Sequence, residues 1–90
     1  MKITYDPAKR DKTLAERGLD FEDASLIFAG PKVTLEDERK DYGEKRFVTF
    51  GLLQGRMVAI VWTLRGVDRR IISLRYANDR EIKRYQHRMG

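Results

Sequence analysis

Two apolar runs, "RFVTFGLL" (46–53) and "RMVAIVWTL" (56–64), are separated only by Gln54–Gly55. So short a link, with glycine where a positive φ is needed, admits an antiparallel hairpin and neither a helix nor a crossover. It also sets a register. With Leu53 opposite Arg56, odd positions of the first strand share a face with even positions of the second. "RGVD" (65–68) turns the chain into "RRIISLR" (69–75), and pairing Leu64 with Arg69 puts the odd positions of this third strand on the same face. One face is then expected to carry Val48, Phe50, Leu52, Met57, Ala59, Val61, Ile72 and Leu74, an apolar layer for helices. The other carries Thr49, Gly51, Arg56, Val58, Ile60, Trp62, Ile71, Ser73 and Arg75, a mixed, basic surface suited to a ligand.

The flanking segments complete an α+β order. "KITY" (2–5) alternates like a strand, and Asp6–Pro7 opens a helix, with Asp6 as cap and Pro7 where its missing N–H costs nothing. That helix runs to about Arg17 and stops at Gly18. Asp20 opens a second helix through "FEDASLIF", whose expected inner face is Phe21, Ala24, Leu26, Ile27 and Phe28, ended by Gly30–Pro31. Val33–Leu35 reads as a short, weakly marked edge strand, and the charged stretch after it as a loop. Asn78 with Glu81 three residues on is a capping-box start for a last helix over 79–88. The expected order is β1-α1-α2-β2-β3-β4-β5-α3 in one domain, 1–90, with both N-terminal helices on one face of a largely antiparallel sheet.

Charge narrows the partners. Nineteen Lys+Arg against fourteen Asp+Glu leave +5, which favours a polyanion or an acidic protein. Six of those cations fall in "RRIISLRYANDREIKRY" (69–85), where a strand hands over to a helix. The chain has no cysteine, which excludes disulfides and thiolate chemistry. No apolar run is long enough to span a bilayer, and "MKITYDPAKR" has no secretory signal pattern, so a soluble cytoplasmic protein without membrane contact is expected. His87 is the only histidine and the carboxylates lack metal-ligand spacing, so neither metal nor cofactor is expected. Ser73 has no partner set for a triad, and no phosphate loop or nucleophile elbow is present.

Arginine, lysine and tyrosine remain, and they suit RNA cleavage by in-line attack of a 2′-hydroxyl. Guanidinium groups hold the phosphoryl oxygens as charge builds, while a tyrosine or lysine beside them moves protons. Arg65 ends the second long strand, Arg75 ends the third, Arg80 lies in the first turn of the last helix, and Tyr85 follows five residues later. These are the catalytic candidates. Against this stands the plainer reading, in which Arg65 and Arg80 are solvated charges and Tyr85 packs on the sheet.

"YDPAKRDKTLAERGLDFEDASLIF", "DYGEKR", "GRMVAIVWTLRG" and "RIISLRYANDREIKRY" together resemble the BrnT toxins of bacterial type II toxin–antitoxin systems. The resemblance covers nearly the whole chain. It implies a RelE-like fold and a metal-independent endoribonuclease that inhibits translation. It also implies neutralisation by a BrnA-like ribbon-helix-helix antitoxin in a hetero-oligomer, with promoter DNA bound only through that complex. The family's basic and aromatic pattern falls on Arg65, Arg75, Arg80 and Tyr85. "ERG" (16–18) replaces the Lys-His-Gly of many members, and Glu44 with Arg46 matches their Gly-Glu-x-Arg element, read as a salt bridge fixing the loop before the sheet in preference to a direct part in catalysis. Lys9 and Lys12, at i, i+3 spacing, with Arg56 and Arg69, are RNA-contact candidates. The alternative is a non-catalytic basic module that binds RNA or protein.

Overall fold

A computed structural model describes residues 2–89. In chain order it contains β1 (Ile3–Thr4), α1 (Pro7–Arg17), α2 (Ala24–Ala29), β2 (Lys32–Asp37), β3 (Arg46–Leu53), β4 (Arg56–Arg65), β5 (Asp68–Tyr76) and α3 (Asp79–Tyr85). Single 3₁₀ turns precede α2 at Phe21–Asp23 and follow α3 at Gln86–Arg88. The last helix is thus broken at Tyr85 rather than continuous to residue 88. The sheet order is β1-β5-β4-β3-β2, with β1 parallel to β5 and every other pair antiparallel.

The local signals act as their chemistry dictates. Gln54 and Gly55 adopt φ 51° and 78°, the left-handed pair that joins two-residue hairpins, and Leu53 lies opposite Arg56. Asp6 accepts the Ala8 N–H at 2.9 Å, and Gly18 closes α1 at φ 68°. Asn78 and Glu81 form a complete capping box at α3. β2 runs two residues further than Val33–Leu35 suggests, to Asp37, starts one residue earlier at Lys32, and pairs along β3 from Gly51 to Arg46.

The faces of the sheet are the reverse of the sequence expectation. The helical layer covers the side bearing Val58, Ile60 and Trp62, where Leu19, Phe21, Ala24, Ile27 and Phe28 are buried with Ile71 and Leu74. We call this the first face. Gly51 explains the choice: a Cβ there would lie 2.5 Å from Ile27 Cγ2, so α2 needs the bare backbone that only this side offers. Trp62 donates its indole N–H to Thr49 Oγ1 at 2.9 Å, and Thr49 in turn meets the Thr34 hydroxyl at 2.8 Å. Leu26, expected inside, is 63% exposed. No α1 residue is buried; the Arg10–Asp20 ion pair (2.8 and 2.9 Å) and a hydrogen bond from Arg17 to the Leu74 carbonyl (2.9 Å) tie that helix down.

A bulge in β5 accounts for a second reversal. Trp62 faces Ile71 but Val61 faces Ser73, so Ile72 is an extra residue between paired neighbours. Beyond it the alternation is shifted by one. Leu74 falls opposite Ile60 on the first face, whereas Ser73 and Arg75 fall opposite Val61 and Ala59 on the second. α3 lies across this second face, where Tyr85 joins Val33, Phe50, Met57 and Ala59 in a separate cluster. Among the described residues no helix is long and apolar enough to cross a membrane.

Candidate active-site cleft

The bulge delivers Arg75 to the side where α3 sits, and α3 holds it there. Glu81, fixed by the capping box, accepts both terminal nitrogens of Arg75, at 2.8 and 2.9 Å. Its Oε1 also accepts the Asn78 N–H at 3.0 Å. The hydrogen bond to Arg75 holds the Glu81 carboxyl below its ordinary range, against the opposing effect of burial. The same bond raises Arg75. Arg75 is therefore a permanently charged, oriented donor, and Glu81 a poor base.

A matching pair stands on the opposite wall. Asp37, at the end of β2, accepts Nε and Nη2 of Arg39 at 2.8 and 2.9 Å. The Arg39 backbone N–H and the Tyr42 hydroxyl also donate to it, each at 3.3 Å. The Asp37 side chain is 1% exposed while that of Arg39 is 70% exposed. A buried carboxylate so enclosed by donors stays ionised: its pKa falls to about 2, chiefly through the Arg39 hydrogen bond. Arg39 is raised in return. The loop arginine is thus presented to solvent on a rigid base.

Between these walls lies a cleft of about 350 Å³ whose lining includes Arg39, Arg75, Arg84 and Tyr85 above an apolar floor of Leu35, Val48 and Phe50. Arg39 acts electrostatically on both Arg75 and Glu81, so the two guanidinium groups share one field. Tyr85 stacks on Phe50 with ring centroids 4.5 Å apart and planes at 21°. It serves the second-face core and the cleft wall together. Glu36 and Glu38 stand at the rim. Glu36 is lowered, first by its hydrogen bond with Glu38 and then by that with Lys45, and Glu38 is raised, first through its hydrogen bond with Glu36 and then by that carboxylate's charge.

Of the four catalytic candidates read from the sequence, Arg75 and Tyr85 line this cleft. Arg80 is exposed on α3 and does not. Arg65 shares the second face but sits opposite Asp68, six positions along β4 from Ala59, the partner of Arg75. At strand rise the two backbone positions are about 20 Å apart, and Arg65 does not line the cleft. Arg65 instead pairs with Glu44 at 3.1 Å, and Arg46 with the same carboxylate at 3.2 Å, so the Gly-Glu-x-Arg element forms the loop-fixing salt bridge.

The proposed RNA contacts lie elsewhere. Lys9 and Lys12 are exposed on α1. Arg56 covers the Tyr76 ring at 3.8 Å. Arg69 lies over Phe28 at 4.0 Å and Trp62 at 5.0 Å on the first face, and its Nε is buried there without a hydrogen-bond partner among the described residues. None of the four lines the cleft. The residues missed are Arg39, Arg84 and Glu38. Arg39 had one legible signal, an acid two residues before it at a strand end, the spacing of a side chain that folds back on its own turn.

Residues 5–81 match a family model described as ribonuclease toxin, BrnT, of type II toxin-antitoxin system. No curated protein matches the chain.

Proposed function

The chain belongs to the BrnT family of ribonuclease toxins of type II toxin–antitoxin systems, and from that premise we propose that the cleft between β2 and α3 cleaves RNA endonucleolytically, without metal, through the 2′-hydroxyl. One observation carries the reading. Arg39 and Arg75, each clamped bidentately by its own carboxylate, face a single cleft that also holds Arg84 and Tyr85.

The chemistry follows from those groups. The scissile phosphate sits between the Arg39 and Arg75 guanidiniums, which stabilise the charge that develops on the non-bridging oxygens. The 2′-oxygen attacks phosphorus as its proton passes to a carboxylate, for which we take Glu38, a cleft residue that makes no ion pair among the described residues. The bond to the 5′-oxygen breaks, leaving a 2′,3′-cyclic phosphate and a 5′-hydroxyl that has gained a proton. Tyr85 supplies either that proton or a surface on which a base stacks. Guanidinium charge does the work a cation would do, so no ion is needed. We infer a RelE-like fold and a cytoplasmic setting, in which RNA cleavage halts translation. Membership of a type II family implies an antitoxin partner. We infer that it is BrnA-like, with a ribbon-helix-helix part through which the hetero-oligomer reaches promoter DNA.

A non-catalytic basic module is the competing reading. It is favoured by the fact that Arg39 and Arg75 already have carboxylate partners, so that a phosphate must share them. Purified protein incubated with RNA and a chelator separates the two. Cleavage with cyclic-phosphate ends, lost in Arg39→Ala and Arg75→Ala, is expected; binding with intact RNA ends would leave only the module.

A further inference from the structure

The two edges of the sheet are left in different states. β1, at one end of the strand order, is two residues long, too short to act as a template for another strand. β2, at the other end, is six residues long and pairs only with β3 among the described residues. No backbone hydrogen bond from another described element reaches its outer side. The helical layer also stops short of it, since Lys32, Thr34 and Glu36, all on the first face, are exposed. Val33 and Leu35 point to the second face. Long edges are commonly blunted by charge, and here the exposed charges are Lys32 and Glu36. Lys32 makes no ion pair among the described residues. Glu36 holds Lys45 at 3.3 Å, and a carboxylate has lone pairs for a second ammonium.

We propose that β2 is the docking edge for a second copy of this chain, paired antiparallel with its own counterpart about a two-fold axis at Thr34. Directly opposite residues of an antiparallel pair share a face, so a symmetric pairing must match positions of like parity. Centred on Thr34, it sets Lys32 against Glu36 twice, Val33 against Leu35 twice, and Thr34 against itself. Opposite charges then meet on the first face and apolar side chains on the second. Neighbouring registers lose this match. One centred on Val33 sets Lys32 against Thr34 and leaves Glu36 beyond the end of the partner strand. One centred on Leu35 sets Val33 against the buried Asp37 and Glu36 against Thr34. The charges that turn away an unrelated strand are thus complementary to a copy in one register. The axis stands normal to the sheet, so both second faces, and with them both clefts, open to the same side. β2 lines the cleft through Leu35, Glu36 and Asp37, and pairing stiffens that wall in each copy. Residues 32–36 of two copies bury less than the roughly 1,200 Å² of a stable complex, so the dimer is weak and depends on concentration. It forms whether or not the cleft cuts RNA.

Sedimentation across a concentration series reads the association. Wild-type protein is expected to pass from monomer to dimer as concentration rises. Lys32→Glu and Glu36→Lys each replace two attractive contacts by two repulsive ones, and each should weaken self-association by about tenfold or more. An equimolar mixture of the two variants should recover it, because the acidic edge of one then faces the basic edge of the other. The double variant Lys32→Glu with Glu36→Lys should recover it as well, since it exchanges the charges and keeps the symmetry. Trp62 fluorescence confirms that each variant is folded. A wild type that stays monomeric at every concentration overturns the proposal, and is the result expected if this edge takes a strand from an unlike protein instead. Undiminished dimerisation in both single variants overturns it too, as does failure of the mixture and the double variant to associate.

Discussion

The two faces of one sheet have been finished differently. On the first, the helical layer presses Ile27 against the bare backbone of Gly51 and seals Val58, Ile60, Trp62 and Leu74. On the second, a seven-residue helix covers only part of the strands, and the rest is bordered by arginines held by acids. A domain this small has little apolar surface to spend. It concentrates burial on one side, and the half-covered side is where a ligand can reach the strands. Stability and chemistry should therefore respond to different substitutions.

The largest effect is expected in the cleft. Arg75→Ala should lower cleavage by about 10²–10³, with Trp62 fluorescence unchanged because the only tryptophan sits on the other face. Single-turnover rates on a ribo-oligonucleotide check the first part and emission spectra the second. A loss of emission alongside activity would mean that the faces are not independent.

Next come substitutions in the sealed face, which should reduce stability rather than alter the cleft. Ile27→Ala is expected to cost about 2–5 kcal/mol, and Gly51→Ala about 1–3 kcal/mol because its methyl has nowhere to go. The two contacts share one space, so the double variant should be more stable than the sum of the single losses predicts. Urea denaturation of the three variants gives the coupling directly. Simple additivity would contradict the placement of α2 on Gly51.

How much of this was legible follows from the same comparison. Turns and caps carry their own chemistry, and Gln54–Gly55, Asp6–Pro7 and Asn78 with Glu81 set their elements correctly. Face assignment failed because β4 is apolar on both sides: Met57, Ala59 and Val61 alternate with Val58, Ile60 and Trp62. A period of two cannot say which set meets the helices. Gly51 held the answer as a missing side chain. The bulge at Ile72 left no mark, since one more apolar residue in an apolar run looks the same. That single residue carried Arg75 to the cleft. The sequence suggests an end to β2 at Leu35 because Glu36 and Asp37 look solvated, whereas Asp37 is buried by the arginine that follows it.

Acid should affect both faces over one pH range. Asp20 on the helical side and Asp37 on the cleft side both have carboxyls held at about 2, the first chiefly by the hydrogen bond from Arg10 and the second by that from Arg39. Unfolded, each titrates near 3.9. A lowered folded value means stability that is fully present above about pH 4 and is lost as pH falls toward 2. Thermal midpoints measured between those limits should flatten in Asp20→Asn and in Asp37→Asn. Only Asp37→Asn should also weaken cleavage near neutral pH, since it alone removes the base on which Arg39 rests. Equal activity in both variants would detach Arg39 from the chemistry.

The smallest effect separates α3 from everything beneath it. Asn78→Ala removes the side-chain acceptor from the Glu81 N–H, one half of the capping box, and should cost about 1 kcal/mol. Glu81 keeps its two bonds to Arg75, so the helix loosens without releasing the guanidinium. Amide exchange should therefore quicken along 79–85 and in the Phe50 strand against which Tyr85 stacks, while the amides around Trp62 and Ile71 keep their protection. The cleavage rate at saturating RNA should fall less than in Arg75→Ala, because the donor stays in place and only its support is softened. Faster exchange on both faces together would show that α3 holds the whole sheet, and the division of labour between a sealed side and an open one would have to be given up.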